Sequence, residues 1–147
     1  LTNVYIEHGV SHDKGIEADG FNTDIGNNSS PLFFSKPTVS NMTIVGRGSA
    51  TENEAVRLRA GTQGIFNNVL IQGFTEAFDL DGNMGDSPTG QGVIDGDLSA
   101  SDVTLVDVLI NVKNDTEYTF DESDFLSGIG NGTGADYANW SAGWTRN

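Results

Sequence analysis

Three short stretches carry the side chains best suited to chemistry: Glu17-Ala18-Asp19, Arg57-Leu58-Arg59 and Asp79-Leu80-Asp81. Each alternates a charged with an apolar residue, so in an extended chain the charges share one face. Set in an open groove with unpaired carboxylates and raised pKa values, Glu17, Asp19, Arg57, Arg59, Asp79 and Asp81 would be acid/base candidates. Paired with one another they form an ion-pair ladder, in which each exposed pair contributes roughly 0–1 kcal/mol. A guanidinium set between carboxylates is held in its protonated form and makes a poor base. The ladder is therefore the plainer expectation.

Other groups carry further candidates. Asp79, Asp81, Asn83 and Asp86 place oxygen ligands at alternating positions along a turn, and Ca²⁺ takes 6–8 oxygens. Gly90 stands where a helix–loop–helix calcium site would need its bidentate Glu. Ca²⁺ is thus a cofactor this loop allows, and none is required. Asp95, Asp97 and Asp102 form a second acidic group. His8 and His12 are four apart, flanked by Glu7 and Asp13. That spacing suits zinc on a helix, but Gly9 argues against a helix there, leaving exposed loop histidines as the expectation. Trp140 and Trp144 could stack on a sugar or cover an apolar surface. The sequence contains no nucleophile elbow, phosphate-binding loop or dinucleotide fingerprint.

The elements that would position these residues repeat. Ile16-Glu17-Ala18-Asp19-Gly20, Val56-Arg57-Leu58-Arg59-Ala60 and Phe78-Asp79-Leu80-Asp81-Gly82 share one pattern of period two. Each follows a second repeated strand: Asn3-Val4-Tyr5-Ile6, Asn41-Met42-Thr43-Ile44 and Asn68-Val69-Leu70-Ile71. Asp102-Val103-Thr104-Leu105 reads as a fourth member with Asp in the Asn place. Steps of 38, 27 and 34 residues separate Asn3, Asn41, Asn68 and Asp102. Spacings of this order mark a repeat architecture, and two short strands per unit cannot bury an apolar face alone. Stacked as coils of a parallel solenoid they can, with Ile16, Val56 and Phe78 in one internal column and Ala18, Leu58 and Leu80 in the next. The Asn column suits a left-handed turn residue and a ladder of stacked amides.

Composition agrees. Among 147 residues there are 19 Gly and 3 Pro, and the hydrophobic fraction of 36% suits a thin solenoid with a large polar surface. A net charge of −14 argues against nucleic acid as a partner and favours solubility. The absence of Cys excludes disulfides and thiolate metal sites, and no apolar run approaches the ~20 residues of a membrane-spanning helix. The chain begins directly with a strand pattern, Leu1 to Ile6. The expectation is the C-terminal portion of a longer secreted or cell-surface protein. The first coil's edge would be covered by upstream coils or another copy of the chain.

Coils are expected over residues 1–112, with a polar insertion at 21–37 and a Gly-rich acidic loop without helical period at 83–97. A strand pair at Val103–Leu105 and Val108–Val112 would close the stack. Residues 113–147 lose the repeat and scatter Tyr118, Phe120, Phe125, Tyr137, Trp140 and Trp144 among Gly, Asn and Asp. Such a loop-rich aromatic tail would cap the open end of a solenoid.

These residues resemble secreted right-handed parallel β-helix proteins of the pectate-lyase-like superfamily, and among them the uncharacterised β-helix lipoproteins of marine Gram-negative bacteria. The resemblance rests on Asn-Val-x-Ile, Gly15-Ile16-Glu17-Ala18-Asp19-Gly20, Val39-Ser40-Asn41-Met42-Thr43-Ile44-Val45-Gly46, Val56-Arg57-Leu58-Arg59 and the tail Trp140-Ser141-Ala142-Gly143-Trp144-Thr145. It implies an all-β right-handed solenoid and leaves function open. The leading expectation is an extracellular structural or adhesive module that contacts carbohydrate. The alternative is a lyase or glycoside hydrolase for an acidic polysaccharide, with Ca²⁺ held by carboxylates against a uronate and Arg as base. Asn22-Thr23-Asp24 matches one motif of polygalacturonase-type glycosidases. The paired Asp, Gly-His-Gly and Arg-x-Lys that accompany it in those enzymes do not follow, so the triplet reads as a turn. Glu17, Asp19 and Asp24 could still supply an inverting carboxylate pair about 6.5–9.5 Å apart.

Overall fold

The computed structural model describes residues 1–20, 35–83 and 88–143. Its strands are β1 (Thr2–Glu7), β2 (Lys14–Asp19), β3 (Thr38–Val45), β4 (Glu54–Arg59), β5 (Gly64–Gly82), β6 (Leu98–Thr116) and β7 (Leu126–Ser127). Every pairing is parallel. β3 pairs with the first half of β5 and β4 with the second half, while β6 follows β5 along its whole length. Four coils are therefore stacked: β1–β2, β3–β4, β5 and β6. The fold is an all-β parallel β-helix.

The expected internal columns form in register. Ile16, Val56, Phe78 and Val112 stack in one, and Ala18, Leu58, Leu80 and Asn114 in the next. Val56, Leu58, Phe78 and Leu80 are fully buried, whereas Ile16 and Ala18 in the first coil are only partly covered. The strands bend where the chain turns left-handed. Asn3, Asn41, Asn68 and Asp102 all have φ between 51° and 58°, a region where Asn and Asp are the best tolerated non-Gly residues. The amides form the expected ladder: Asn41 Nδ2 donates to Asn3 Oδ1 at 3.0 Å and Asn68 Nδ2 to Asn41 Oδ1 at 2.8 Å.

Two details differ from the sequence expectation. The strand pair near 103–112 is one strand, Leu98–Thr116, matched residue for residue to β5. Its fourth charged member, Lys113, lies over Asp79, and Asn114 replaces the apolar residue of the inner column, which hides the repeat. The 83–97 loop contains a short helix, α1 (Thr89–Ile94), whose Thr89 Oγ1 donates to Asp81 O at 2.8 Å and accepts from Gly61 N at 3.1 Å. This six-residue helix is pinned by its contacts with the third coil; at such a length no helical period can show.

The tail does two things. α2 (Glu122–Phe125), begun by an Asp121–Asp124 capping box, drops Phe125 edge-on to Phe78 at 5.1 Å, and β7 adds Leu126 above Ala100. This part caps the core. From Gly128 the chain turns and descends the flank, along the Asn column. Gly130 N donates to Val103 O, Thr133 N to Asn68 Oδ1 at 2.6 Å and Ala135 N to Thr43 Oγ1 at 2.9 Å. Tyr137, opening α3 (Tyr137–Trp140), then stacks on Tyr5 with ring centres 4.4 Å apart. A Cβ on Gly132 would lie 2.2 Å from Val69 O, so only glycine allows this close approach. The strap thus ties the fourth coil to the first.

Candidate functional site

The charged face is built by the outward parity of β2, β4, β5 and β6. Glu17, Arg57, Asp79 and Lys113 are in register along the axis, alternating in sign; Asp19 lies beside Arg59, and Asp81 beside Asp115. The sequence pattern found all but Lys113 and Asp115. The 34-residue step from Asn68 to Asp102, applied to Asp79, leads to Lys113.

The pairing is more directional than a simple sandwich. Arg57 reaches only to the third coil, with NH2 2.7 Å from Asp81 and Nε 3.5 Å from Asp79. Arg59 reaches only to the first, 2.6 Å from Asp19 and 3.1 Å from Glu17. The second coil therefore clamps its two neighbours with different arginines. Lys113 completes the set from the fourth coil, 3.3 Å from Glu76 and 3.0 Å from Asp115. The hydrogen bond from Lys113 to Asp115 raises the ammonium's pKa further above its ordinary value. Asp81 holds Arg57 and Asp19 holds Arg59 above theirs in the same way.

Asp79 departs from expectation. Its parity is outward, yet it is only 1% exposed, flanked in register by the long side chains of Arg57 and Lys113. Burial pushes its carboxyl up to about 6, against the pull of Lys113 and Arg57 and with a smaller push from Glu76 and Asp115. Asp79 Oδ1 and Glu76 Oε2 are buried without a hydrogen-bond partner among the described residues. Glu54, Glu76 and Asp79 each offer an oxygen, all within 4.8 Å of one another. Such a set of hard oxygen donors fits a divalent cation such as Ca²⁺. The structure thus gathers Asp79 with two glutamates that the sequence pattern did not single out. Ala77 and Phe78 are both buried, so the in–out alternation breaks between Glu76 and Asp79 and both carboxylates reach the same cluster.

The other metal candidates part company. Asp81 and Asn83 line a cleft of about 540 Å³ together with Asp19, Arg59, Ala60, Gly82, Asp115 and Glu117. Asp86 lies outside the described residues, as do Asn22, Thr23, Asp24 and Trp144. Asp97 pairs with Lys36, Asp95 with Gln91 and Asp102 with Asn131, so this second acidic group does not converge. Trp140 packs edge-on to Tyr137 of its own helix at 5.5 Å, with its indole nitrogen buried. His8, expected to be exposed, is buried against Phe74.

A family model described as a pectate-lyase-like beta helix domain matches residues 1–145. No curated protein matches the chain, and no solved structure does.

Proposed function

The chain belongs to the pectate-lyase-like β-helix family, and from that premise we propose that it serves as an extracellular or cell-surface module with a structural or adhesive role. The observation that carries this reading is the commitment of the charged face to holding coils together. Asp19, Glu17, Arg57, Arg59 and Asp81 are all engaged in ion pairs between neighbouring coils. The carboxyl best tuned for proton transfer, Asp79, is sealed from solvent. Carbohydrate contact falls to the open cleft, whose four carboxylates and single Arg59 suit neutral or cation-bridged sugars better than a bare polyuronate.

A second reading, a Ca²⁺-dependent lyase for an acidic polysaccharide, draws on the Glu54–Glu76–Asp79 cluster and its unpaired oxygens. For a cation to settle there, Lys113 must release Glu76 and Lys14 must release Glu54. One experiment separates the two. The protein is incubated with pectate, alginate and neutral glycans, with and without Ca²⁺, while released unsaturated and reducing sugars and polymer-bound protein are measured. The structural reading expects retention on one or more polymers without sugar release. Ca²⁺-dependent release of unsaturated sugars that disappears in Asp79→Asn would replace it with the lyase.

A further inference from the structure

The turn between β1 and β2 holds a pair of imidazoles that neither the ladder nor the cleft uses. His8 is 8% exposed, and its backbone N–H donates to Val45 O at 2.8 Å, fixing it against the second coil. Its ring lies on Phe74 with centres 5.2 Å apart. Both ring nitrogens are buried, and neither has a hydrogen-bond partner among the described residues. A neutral imidazole has one donor and one acceptor, and leaving a buried polar group unpaired carries its full desolvation penalty. Buried polar groups left this way call for a missing partner, such as water or an ion.

His12 stands where such a partner could be shared. Its backbone N–H closes a turn on Gly9 O at 3.3 Å, and its ring centre is 6.0 Å from that of His8, tilted by 44°. Gly9 leaves room for this ring, since a Cβ at that position would lie 2.9 Å from His12 Nδ1 and the exposed imidazole would have to shift. A metal about 2.0–2.1 Å from one nitrogen of each of two imidazoles lies about 3.2 Å from each ring centre. Two rings can therefore share an ion when their centres are up to about 6.4 Å apart, and about 5.2 Å gives a tetrahedral angle. The observed separation is inside that limit. His12 is exposed, so a swing of under about 1 Å brings it to the tetrahedral value.

We propose that His8 and His12 together bind a borderline-soft divalent metal ion of the zinc or nickel class, bracing the turn between β1 and β2. Imidazole nitrogen selects such ions over Ca²⁺ or Mg²⁺, which prefer oxygen. The remaining positions are filled by water, since the carboxylate of the neighbouring Asp13 is paired with Lys14 at 2.7 Å.

The test is thermal unfolding and isothermal titration of the metal-stripped protein with Zn²⁺, Ni²⁺ and, as a control, Ca²⁺. Zn²⁺ and Ni²⁺ are expected to bind in the micromolar range with one dominant site and to raise the melting temperature. His12→Ala, a change at an exposed turn residue, is expected to weaken binding at least tenfold and remove the thermal shift. Cobalt substitution should give a visible absorption band in the wild-type protein that His12→Ala abolishes. Unchanged Zn²⁺ binding in His12→Ala, or no binding by the wild-type protein, would overturn the proposal. A response restricted to Ca²⁺ would overturn it too, and point instead to the carboxylates of the charged face.

Discussion

Burial of Asp79 inside the charged column has a consequence for stability that can be worked through. Its carboxyl is raised from 3.8 to about 6, chiefly by loss of water, with Lys113 and Arg57 opposing the shift and Glu76 and Asp115 adding to it. A rise of about two pH units corresponds to about 3 kcal/mol between the protonated and ionised forms. The folded chain binds this proton more tightly than the unfolded chain. The stabilisation is therefore fully present below about pH 4 and is lost as pH rises through about 6. The chain's pI is near 4.1, so the accessible range starts near pH 5. Between about pH 5 and about pH 7.5 the Asp79 contribution falls by roughly 1.4 kcal/mol. Asp79→Asn keeps the shape and removes the titration. Self-repulsion from the net charge of −14 also changes over this range, but it does so in both proteins. The measurement is urea unfolding of wild type and Asp79→Asn at both pH values, with stabilities extrapolated to water. The wild type should lose about 1.4 kcal/mol more than Asp79→Asn on going to the higher pH. Equal losses would show that Asp79 is solvated or fully neutralised by Arg57 and Lys113, and the reasoning from burial would fail.

Two further expectations follow from the direction of the ion pairs and the strap. Arg57→Gln should lower the melting temperature more than Arg59→Gln, because Arg57 is a counterion of the sealed Asp79 whereas Arg59 pairs with carboxylates that are about half exposed; differential scanning calorimetry of the two variants compares them. Asp102→Asn restores an amide donor at the fourth rung, which would compete with the strap for Asn68 Oδ1. Hydrogen exchange at the backbone amides of Thr133 and Gly134 should then speed up, and unchanged protection would contradict this account of the strap.

Much of the architecture was legible because stacking makes each coil repeat its neighbour's constraints. A single Asn at a left-handed turn says little. Asn3, Asn41 and Asn68, each followed by apolar residues one and three places on, fix both the turn and the register. The same logic places Glu17, Arg57 and Asp79 in one column, as the register shows. What could not be read was anything set by side-chain direction. Period two assigns Asp79 to the outside but cannot say that two long cations lie alongside it. It also separates Glu76 from Asp79 by an odd step, and only the break in alternation at the buried pair Ala77 and Phe78 reunites them. Nor does loop composition reveal that His8 lies under Phe74, since that contact joins turns of different coils.

The tail shows why the fourth rung departs from the pattern. In the Asn ladder each amide nitrogen donates toward the first coil, so each amide oxygen is left to accept from the coil above. The Asp102 side chain has no N–H to give. The Asn68 oxygen is therefore free to accept from Thr133 and Gly134, and the Asp102 carboxylate accepts from Asn131. One change of side chain thus ends the ladder and opens its flank to the strap. An Asn in that place would keep the column competent for another coil. Asp converts it into a landing site for the chain's own returning segment, which reaches back as far as Tyr5. The irregular member of the repeat is therefore the residue that tells the solenoid where its stack of amides stops. The buried glycine at 132 is the complementary requirement on the segment that lands there.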